Sequence, residues 1–148
     1  MYPIRRMQQV RMPRYPPISF SNFSALIQIS FTFTLTRTNR DAPVTEPATG
    51  YTSGLPYFIT LLQTFPTHNR LAQVELTIKA EKVNEEVVSL VDWEDFMTVL
   101  RSGLFSYFET LRINCRGDRH LSRGRMVKVL RTNAALLEHI WDGKVELC

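Results

Sequence analysis

The sequence predicts an α+β fold, a single compact domain in which a mostly antiparallel sheet packs against several helices. Two stretches, at 27–36 and 74–81, alternate between apolar and polar residues, which is the pattern of strands with one buried face. Between them, apolar residues recur at helical spacing over 55–65. With 148 residues and 44% hydrophobic content, the chain supports one core of ordinary size rather than two domains.

Residues 1–22 are predicted to form a flexible basic arm, and residues 23–148 the folded core. Four of the eight prolines lie in the arm, and this density of proline prevents a long helix or a central strand. The arm contains no acidic residue and four arginines, Arg5, Arg6, Arg11 and Arg14. Apolar residues interleave with these arginines, a composition that suits an anionic membrane interface or docking on a partner. A disordered tail without a binding role is the alternative.

The first half of the core is predicted element by element from the same patterns. The alternation over 27–36 predicts a strand that turns its apolar residues inward. Residues 39–54 are rich in turn-forming residues and predict a loop, which is one candidate interaction segment. Ser53 is expected to cap the helix that follows, and Pro66 is expected to stop it.

The second half is predicted to begin with the strand at 74–81 and a hairpin through 82–86 into 87–91, which makes the sheet antiparallel. Asp92 is expected to cap a helix that ends near Gly103, and residues 104–111 are expected to form a second short helix. Residues 111–115 and 126–130 are expected to form strands joined by a basic loop. Asn133 is expected to cap a final helix over 134–141.

The net charge of +4 conceals two concentrated basic patches. One is the arm, and the other is the segment 112–131, whose only acidic residue is Asp118; the rest of the chain is net acidic. Concentrated positive charge attracts phosphate backbones and anionic lipid headgroups. The candidate polyanion-binding residues are therefore the four arginines of the arm together with Arg116, Arg119, Arg123, Arg125 and Lys128. An ordinary solvated basic surface is the alternative for the second patch.

The basic loop expected between 116 and 125 is suited to phosphate rather than to bases. Arginine offers planar, bidentate contacts to phosphate, and this loop contains no aromatic residue on which a base could stack. We therefore expect it to contact a nucleic-acid backbone or a lipid headgroup without base specificity.

Catalytic and metal-binding motifs are missing from the sequence. It has no glycine-rich phosphate loop, nucleophile elbow, HExxH pair or CxxC spacing, and its three histidines are scattered. We therefore expect a protein that is not an enzyme and has no metal site and no cofactor. Two cysteines do not make a disulfide framework, so a reducing, intracellular context is expected. No apolar stretch approaches the ~20 residues that span a bilayer, so any membrane contact is expected to be peripheral.

The order of these segments resembles the folded core of rhabdovirus matrix proteins. The resemblance rests on ISFTFTLTRTNR at 29–40, LPYFITLL at 55–62, VELTI at 74–78, DWEDF at 92–96 and FSYF at 105–108. Members of that family also place a basic, proline-containing arm before a compact α+β domain. The Pro-Pro-x-Tyr budding motif that many of them carry is not present, since Tyr15-Pro16-Pro17 runs in another order.

The resemblance implies a structural protein of the virion that bridges the ribonucleoprotein to the inner face of an anionic membrane and self-assembles. Its expected partners are an anionic membrane surface, the viral nucleocapsid or RNA, and further copies of itself. Its expected locations are the virion, the host cytoplasm and the inner membrane surface, where it would be peripheral. The alternative is a sequence-nonspecific RNA-binding viral accessory protein that uses the same arginines to neutralise phosphates.

Overall fold

The computed structural model describes residues 19–38 and 50–148. Its strands are β1 (Gln28–Arg37), β2 (Tyr51–Thr52), β3 (Gln73–Glu81), β4 (Thr110–Arg116) and β5 (Val145–Leu147). Its helices are α1 (Leu55–Leu62), α2 (Glu85–Ser89), α3 (Trp93–Leu100), α4 (Arg123–Arg131) and α5 (Ala134–Trp141). The predicted arm up to residue 18 and most of the predicted loop, residues 39–49, lie outside the described residues.

The α+β class is confirmed, but the prediction of a mostly antiparallel sheet is wrong. The five strands are ordered β2-β1-β3-β4-β5, and only the short β2 runs antiparallel to its neighbour. The pairs β1–β3, β3–β4 and β4–β5 are all parallel. Parallel neighbours need long connections, and here each of the three connections contains at least one helix.

A helix, α2, takes the place of the hairpin predicted after β3. The chain therefore crosses over the sheet, and the next strand, β4, runs parallel to β3 instead of antiparallel. Asn84 caps α2, and its side-chain oxygen accepts a hydrogen bond from the Val87 backbone N–H at 3.2 Å. Val87 and Val88 are buried on the inner side of this helix. Valine has a high strand propensity, but here the Asn84 cap and the packing of Val87 and Val88 in the core stabilise a helix instead.

The predicted strand at 126–130 is also wrong, because these residues belong to α4. Ser122 caps this helix, and its hydroxyl accepts a hydrogen bond from the Arg125 backbone N–H at 3.3 Å. Met126 and Leu130, four residues apart, are the buried residues of the helix. The basic segment is therefore a strand-to-helix connection and not a hairpin loop.

The remaining predictions of elements are mostly confirmed. The strands at 27–36 and 74–81, and the helices that follow residues 54, 92 and 133, form close to their predicted positions. The predicted second helix over 104–111 does not form, since these residues make turns that lead into β4. Gly54, not Ser53, is the N-cap residue of α1. A Cβ at Gly54 would lie 3.0 Å from the Phe33 Cβ, so glycine allows α1 to approach β1 closely.

The five helices of the described residues lie on one face of the sheet. Strands β1, β3, β4 and β5 are adjacent in sequence order, so right-handed crossovers carry each connection over the same face. Helix α1 packs against α3, α3 against α5, and α2 against α4, as this arrangement requires. The core lies between the two layers, and the rings of Phe31 and Phe58 stack there at 4.5 Å.

The second face of the sheet is polar and carries no helix of the described residues. We call it the open face. Its side chains include Thr34, Thr77, Lys79, Asn114 and Arg116, which alternate along their strands with buried residues. A side chain near the end of a strand on this face is accessible from the solvent.

The core extends back to Phe20, two residues before the predicted end of the arm. Phe20 is buried, and its ring meets that of Phe65 edge-on at 5.0 Å. Its backbone N–H donates to the Thr64 hydroxyl at 2.8 Å. The segment just before β1 therefore belongs to the packed structure.

Candidate polyanion-binding site

The carboxyl ends of β3 and β4 bring basic side chains together. Lys79 and Arg116 are direct register partners in this parallel pair, and both are exposed on the open face. Neighbouring strands lie about 4.8 Å apart, so the two side chains start from adjacent positions. Thr34 of β1 continues the same row, because it is the register partner of Lys79.

Lys82 is held beside this row by the loop that follows β4. Its backbone N–H donates to the Asp118 Oδ2 at 2.8 Å, which ties the β3–α2 connection to the β4–α4 connection. Lys82 has a φ of 53°, the left-handed region that residues with a side chain rarely adopt. This conformation turns the chain away from β3 immediately after the strand ends.

Asp118 organises the β4–α4 loop. Its Oδ1 accepts hydrogen bonds from the backbone N–H groups of His120 at 2.8 Å and Leu121 at 3.0 Å. Partial burial raises the pKa of Asp118, but the three backbone donors and the nearby His120 outweigh that effect, so its pKa is lower than the ordinary 3.8. The carboxylate is therefore occupied within the protein and acts as a loop anchor.

Gly117 lets this loop close on itself. A Cβ at this position would clash with the Leu121 carbonyl oxygen and would lie 2.6 Å from the Arg123 backbone nitrogen. The tight closure places Arg119 at the exposed tip of the loop and Arg123 in the first turn of α4.

Arg123 lies close enough to the end of β4 to affect Cys115. Burial raises the pKa of the Cys115 thiol to about 11, with the positive charge of Arg123 opposing the shift and the second thiol, Cys148, adding to it. We call Lys79, Lys82, Arg116, Arg119 and Arg123 the basic rim. All five side chains are exposed.

The rim includes three of the nine predicted site residues. Arg125 is exposed but engaged, since its guanidinium forms an ion pair with Glu85 of α2, with Nε 3.1 Å from Oε1. Lys128 is exposed one turn further along α4, away from the strand ends. The four arginines of the arm, Arg5, Arg6, Arg11 and Arg14, lie outside the described residues.

Lys79 and Lys82 were not among the site residues predicted from the sequence. The alternation along β3 put Lys79 on a polar face, but nothing in the local sequence indicated that β4 would pair with that strand in parallel. Only a prediction that β3 and β4 pair in parallel could have placed Lys79 beside Arg116.

The opposite end of the open face has a different electrostatic character. A shallow depression of about 330 Å³ lies there, lined by Gln28, Gln73, Val74, Glu75, Thr110, Arg112 and Glu146. The Arg112 Nε is 3.4 Å from the Glu146 Oε2, so its charge is already paired. With two carboxylates around one arginine, this depression does not favour an anion.

The described residues show neither a metal centre nor a membrane span. Across 19–38 and 50–148, no three metal-binding side chains come together. Over the same ranges, no helix is both long enough and apolar enough to cross a bilayer.

No protein-family model matches this chain. Searches of curated proteins and of solved structures likewise find no protein with significant similarity. The resemblance to rhabdovirus matrix proteins thus remains a prediction from the sequence pattern.

Proposed function

We propose that this chain is a non-enzymatic protein that binds the phosphate backbone of RNA through the basic rim. The observation that carries the proposal is that Lys79 and Arg116 are exposed register partners on adjacent parallel strands. Lys82, Arg119 and Arg123 are exposed in the segments that follow these two strands. Asp118 is occupied by backbone N–H groups, and Glu81, the other acid at these positions, is exposed between Lys79 and Lys82. Five cations against these two acids leave a net charge of +3. Such a surface neutralises phosphates and releases condensed counterions.

The neighbouring side chains favour contact with the backbone rather than with bases. Thr34 lies in the same row as Lys79 and Arg116, and Thr77 and Asn114 form the next row on the open face. Hydroxyl and amide groups contribute to sugar and phosphate contacts, which carry no sequence information. The rim has no aromatic side chain for base stacking, so we expect binding without sequence preference.

The topology gives further support to a binding role. Enzymes with open parallel sheets usually bind their substrates at a switch point, where neighbouring connections leave the sheet in opposite directions. Here the strands β1, β3, β4 and β5 succeed one another in a single direction. The raised pKa of the buried Cys115 keeps its thiol protonated near neutral pH, which disfavours a nucleophilic role.

The more specific role remains the one that the resemblance implies. In that role, a viral matrix-type protein self-assembles and bridges the ribonucleoprotein and the inner face of an anionic membrane, with the basic rim on the RNA side. The alternative, a sequence-nonspecific RNA-binding viral accessory protein, uses the same rim without the membrane.

The experiment is a salt series of RNA affinity for the wild type and for the pair Arg116→Glu and Arg119→Glu. With five phosphate contacts on single-stranded RNA, the slope of log K against log salt should be about −3.5, and it should weaken to about −2 in the variant. The matched control is Arg70→Glu with Arg101→Glu, which removes the same charge from exposed positions outside the rim. An equal loss of affinity in the control would show that net charge, not the rim, drives binding. Binding of the rim to anionic vesicles but not to RNA would also refute the proposal.

A further inference from the structure

Exposed apolar side chains gather at the end of the sheet opposite the basic rim. Ile27 directly precedes β1, and Tyr107 lies in the turns before β4; their exposed fractions are 58% and 61%. Trp141 ends α5 shortly before β5 and is 83% exposed, and Phe23 is 46% exposed. We call these four side chains the apolar edge. Ile27 was expected to point inward, so its exposure is a finding of the structure.

Backbone hydrogen bonds hold the segments that carry these residues side by side. The Ile27 carbonyl accepts from Ala72 N–H at 2.8 Å, and the Ala72 carbonyl accepts from Glu109 N–H at 2.8 Å. The Lys144 carbonyl accepts from Leu111 N–H at 2.7 Å. The segments therefore follow the strand order, and with strands about 4.8 Å apart the edge extends over roughly 15 Å.

A row of packed aromatic rings connects Phe23, at the apolar edge, to the core. Ring centroids are 5.5 Å apart between Phe23 and Phe20, 5.0 Å between Phe20 and Phe65, and 5.5 Å between Phe65 and Phe105. Phe105 is buried two residues before Tyr107. Phe23 is thus joined to the core through these rings, and Tyr107 lies two residues from the last of them.

We propose that the apolar edge inserts into the interface of a phospholipid bilayer that contains anionic lipid. Tryptophan and tyrosine combine an apolar ring with a polar group, and both are enriched at membrane interfaces. Arg70 and Lys144 are exposed on the segments that lead into β3 and β5, where long cationic side chains can reach headgroup phosphates. Glu109 and Asp142 are exposed at the same end of the sheet, so within the described residues the edge contributes apolar insertion and no net positive charge. These residue types together fit a lipid interface better than a purely apolar protein surface.

The part of the chain that precedes the described residues favours the same partner. Ser19, the first described residue, is next to Phe20 of the aromatic row, so the sequence that precedes it is attached beside the apolar edge. That sequence carries four arginines and no acid, which complements anionic headgroups.

This inference extends the bridging role proposed above, but it does not require the basic rim to bind RNA. The rim lies at the carboxyl ends of the strands and the apolar edge at their amino ends. The nine residues of β3 separate the two by about 30 Å. One molecule can therefore contact a membrane and an RNA at the same time.

The two tryptophans provide the test, because Trp93 is only 1% exposed and Trp141 is 83% exposed. Vesicles of phosphatidylcholine with one fifth phosphatidylserine are added to the full chain, and tryptophan emission and acrylamide quenching are recorded. We expect a blue shift and reduced quenching, both lost in Trp141→Phe. The pair Ile27→Ser and Tyr107→Ser should weaken vesicle binding by about tenfold or more.

The matched control is Leu90→Ser, which removes an apolar side chain that is 53% exposed beside β2. It should leave vesicle binding unchanged. A wild type whose emission does not respond to vesicles would overturn the inference. So would vesicle binding that depends on the rim pair and not on the edge pair. A blue shift that needs no vesicles and grows with protein concentration, together with dimers in sedimentation, would assign the edge to a second copy.

Discussion

Replacing Asp118 by asparagine should destabilise the protein, because this carboxylate joins the two loops that carry the basic rim. Its Oδ2 accepts from the Lys82 N–H, and its Oδ1 accepts from two N–H groups of its own loop. Asparagine keeps one oxygen for the two local donors. The other position becomes an NH₂ group, which faces the Lys82 N–H as donor against donor.

The expected loss is about 2 kcal/mol at pH 7, since a hydrogen bond to a charged group contributes roughly 1.5–3 kcal/mol and the two remaining bonds lose their charge. For a chain of this size, that corresponds to a fall in Tm of about 4–8 °C. Asp142→Asn is the control, because it removes the same charge from an exposed position at the end of α5. Its stability should change by no more than about 0.5 kcal/mol.

The destabilisation caused by Asp118→Asn should be largest near neutral pH and should become smaller in acid. The pKa of Asp118 is lowered in the folded protein, so its stabilising contribution is complete above the ordinary value of 3.8. That contribution is lost as the pH falls through the lower folded pKa. Urea unfolding of wild type and variant should therefore show a difference of about 2 kcal/mol at pH 7 that shrinks towards pH 2.5. A difference that is absent at pH 7, or that stays constant down to pH 2.5, would refute the role given to this carboxylate.

Four further outcomes are expected. Gly117→Ala should cost about 2 kcal/mol or more in urea unfolding, because its Cβ meets the backbone of its own loop. Gly124→Ala, in α4 with open space around it, should instead gain about 0.5 kcal/mol, and a loss there would contradict the helix assignment. At pH 8 a thiol reagent should modify Cys148 rapidly and Cys115 only after unfolding, since burial holds the pKa of Cys115 at about 11; two fast thiols would disprove this. Phe20→Ala should lower stability by about 3 kcal/mol, whereas a surface-like effect under 0.5 kcal/mol would remove Phe20 from the core.

Local patterns predicted most of the individual elements correctly. Alternation over β1 and β3 identified the two long strands and their inner faces, because the side chains of a strand alternate with a period of two. Helical spacing located α1, α3 and α5 for an equally local reason, and the predicted side-chain cap bond forms at an N-cap residue only in α5, at Asn133. Two of the errors fell on segments that contain valine, where strand propensity and a helix cap compete over a few residues. The third was the helix expected over 104–111, where apolar residues at helical spacing form turns before β4.

The tertiary structure alone decided how these elements are connected. Alternating strands are typical of antiparallel sheets with one solvated face, and this sheet keeps one face open although its long strands are parallel, so the local pattern favoured the wrong direction. Because α2 forms where a hairpin was predicted, β4 pairs with β3 in parallel. Lys79 therefore lies beside Arg116, which is 37 positions further along the chain. The sequence by itself thus determined the faces of the strands and the basic character of residues 112–131. The rim and the apolar edge exist because parallel strands place all their carboxyl ends at one side of the sheet and all their amino ends at the other.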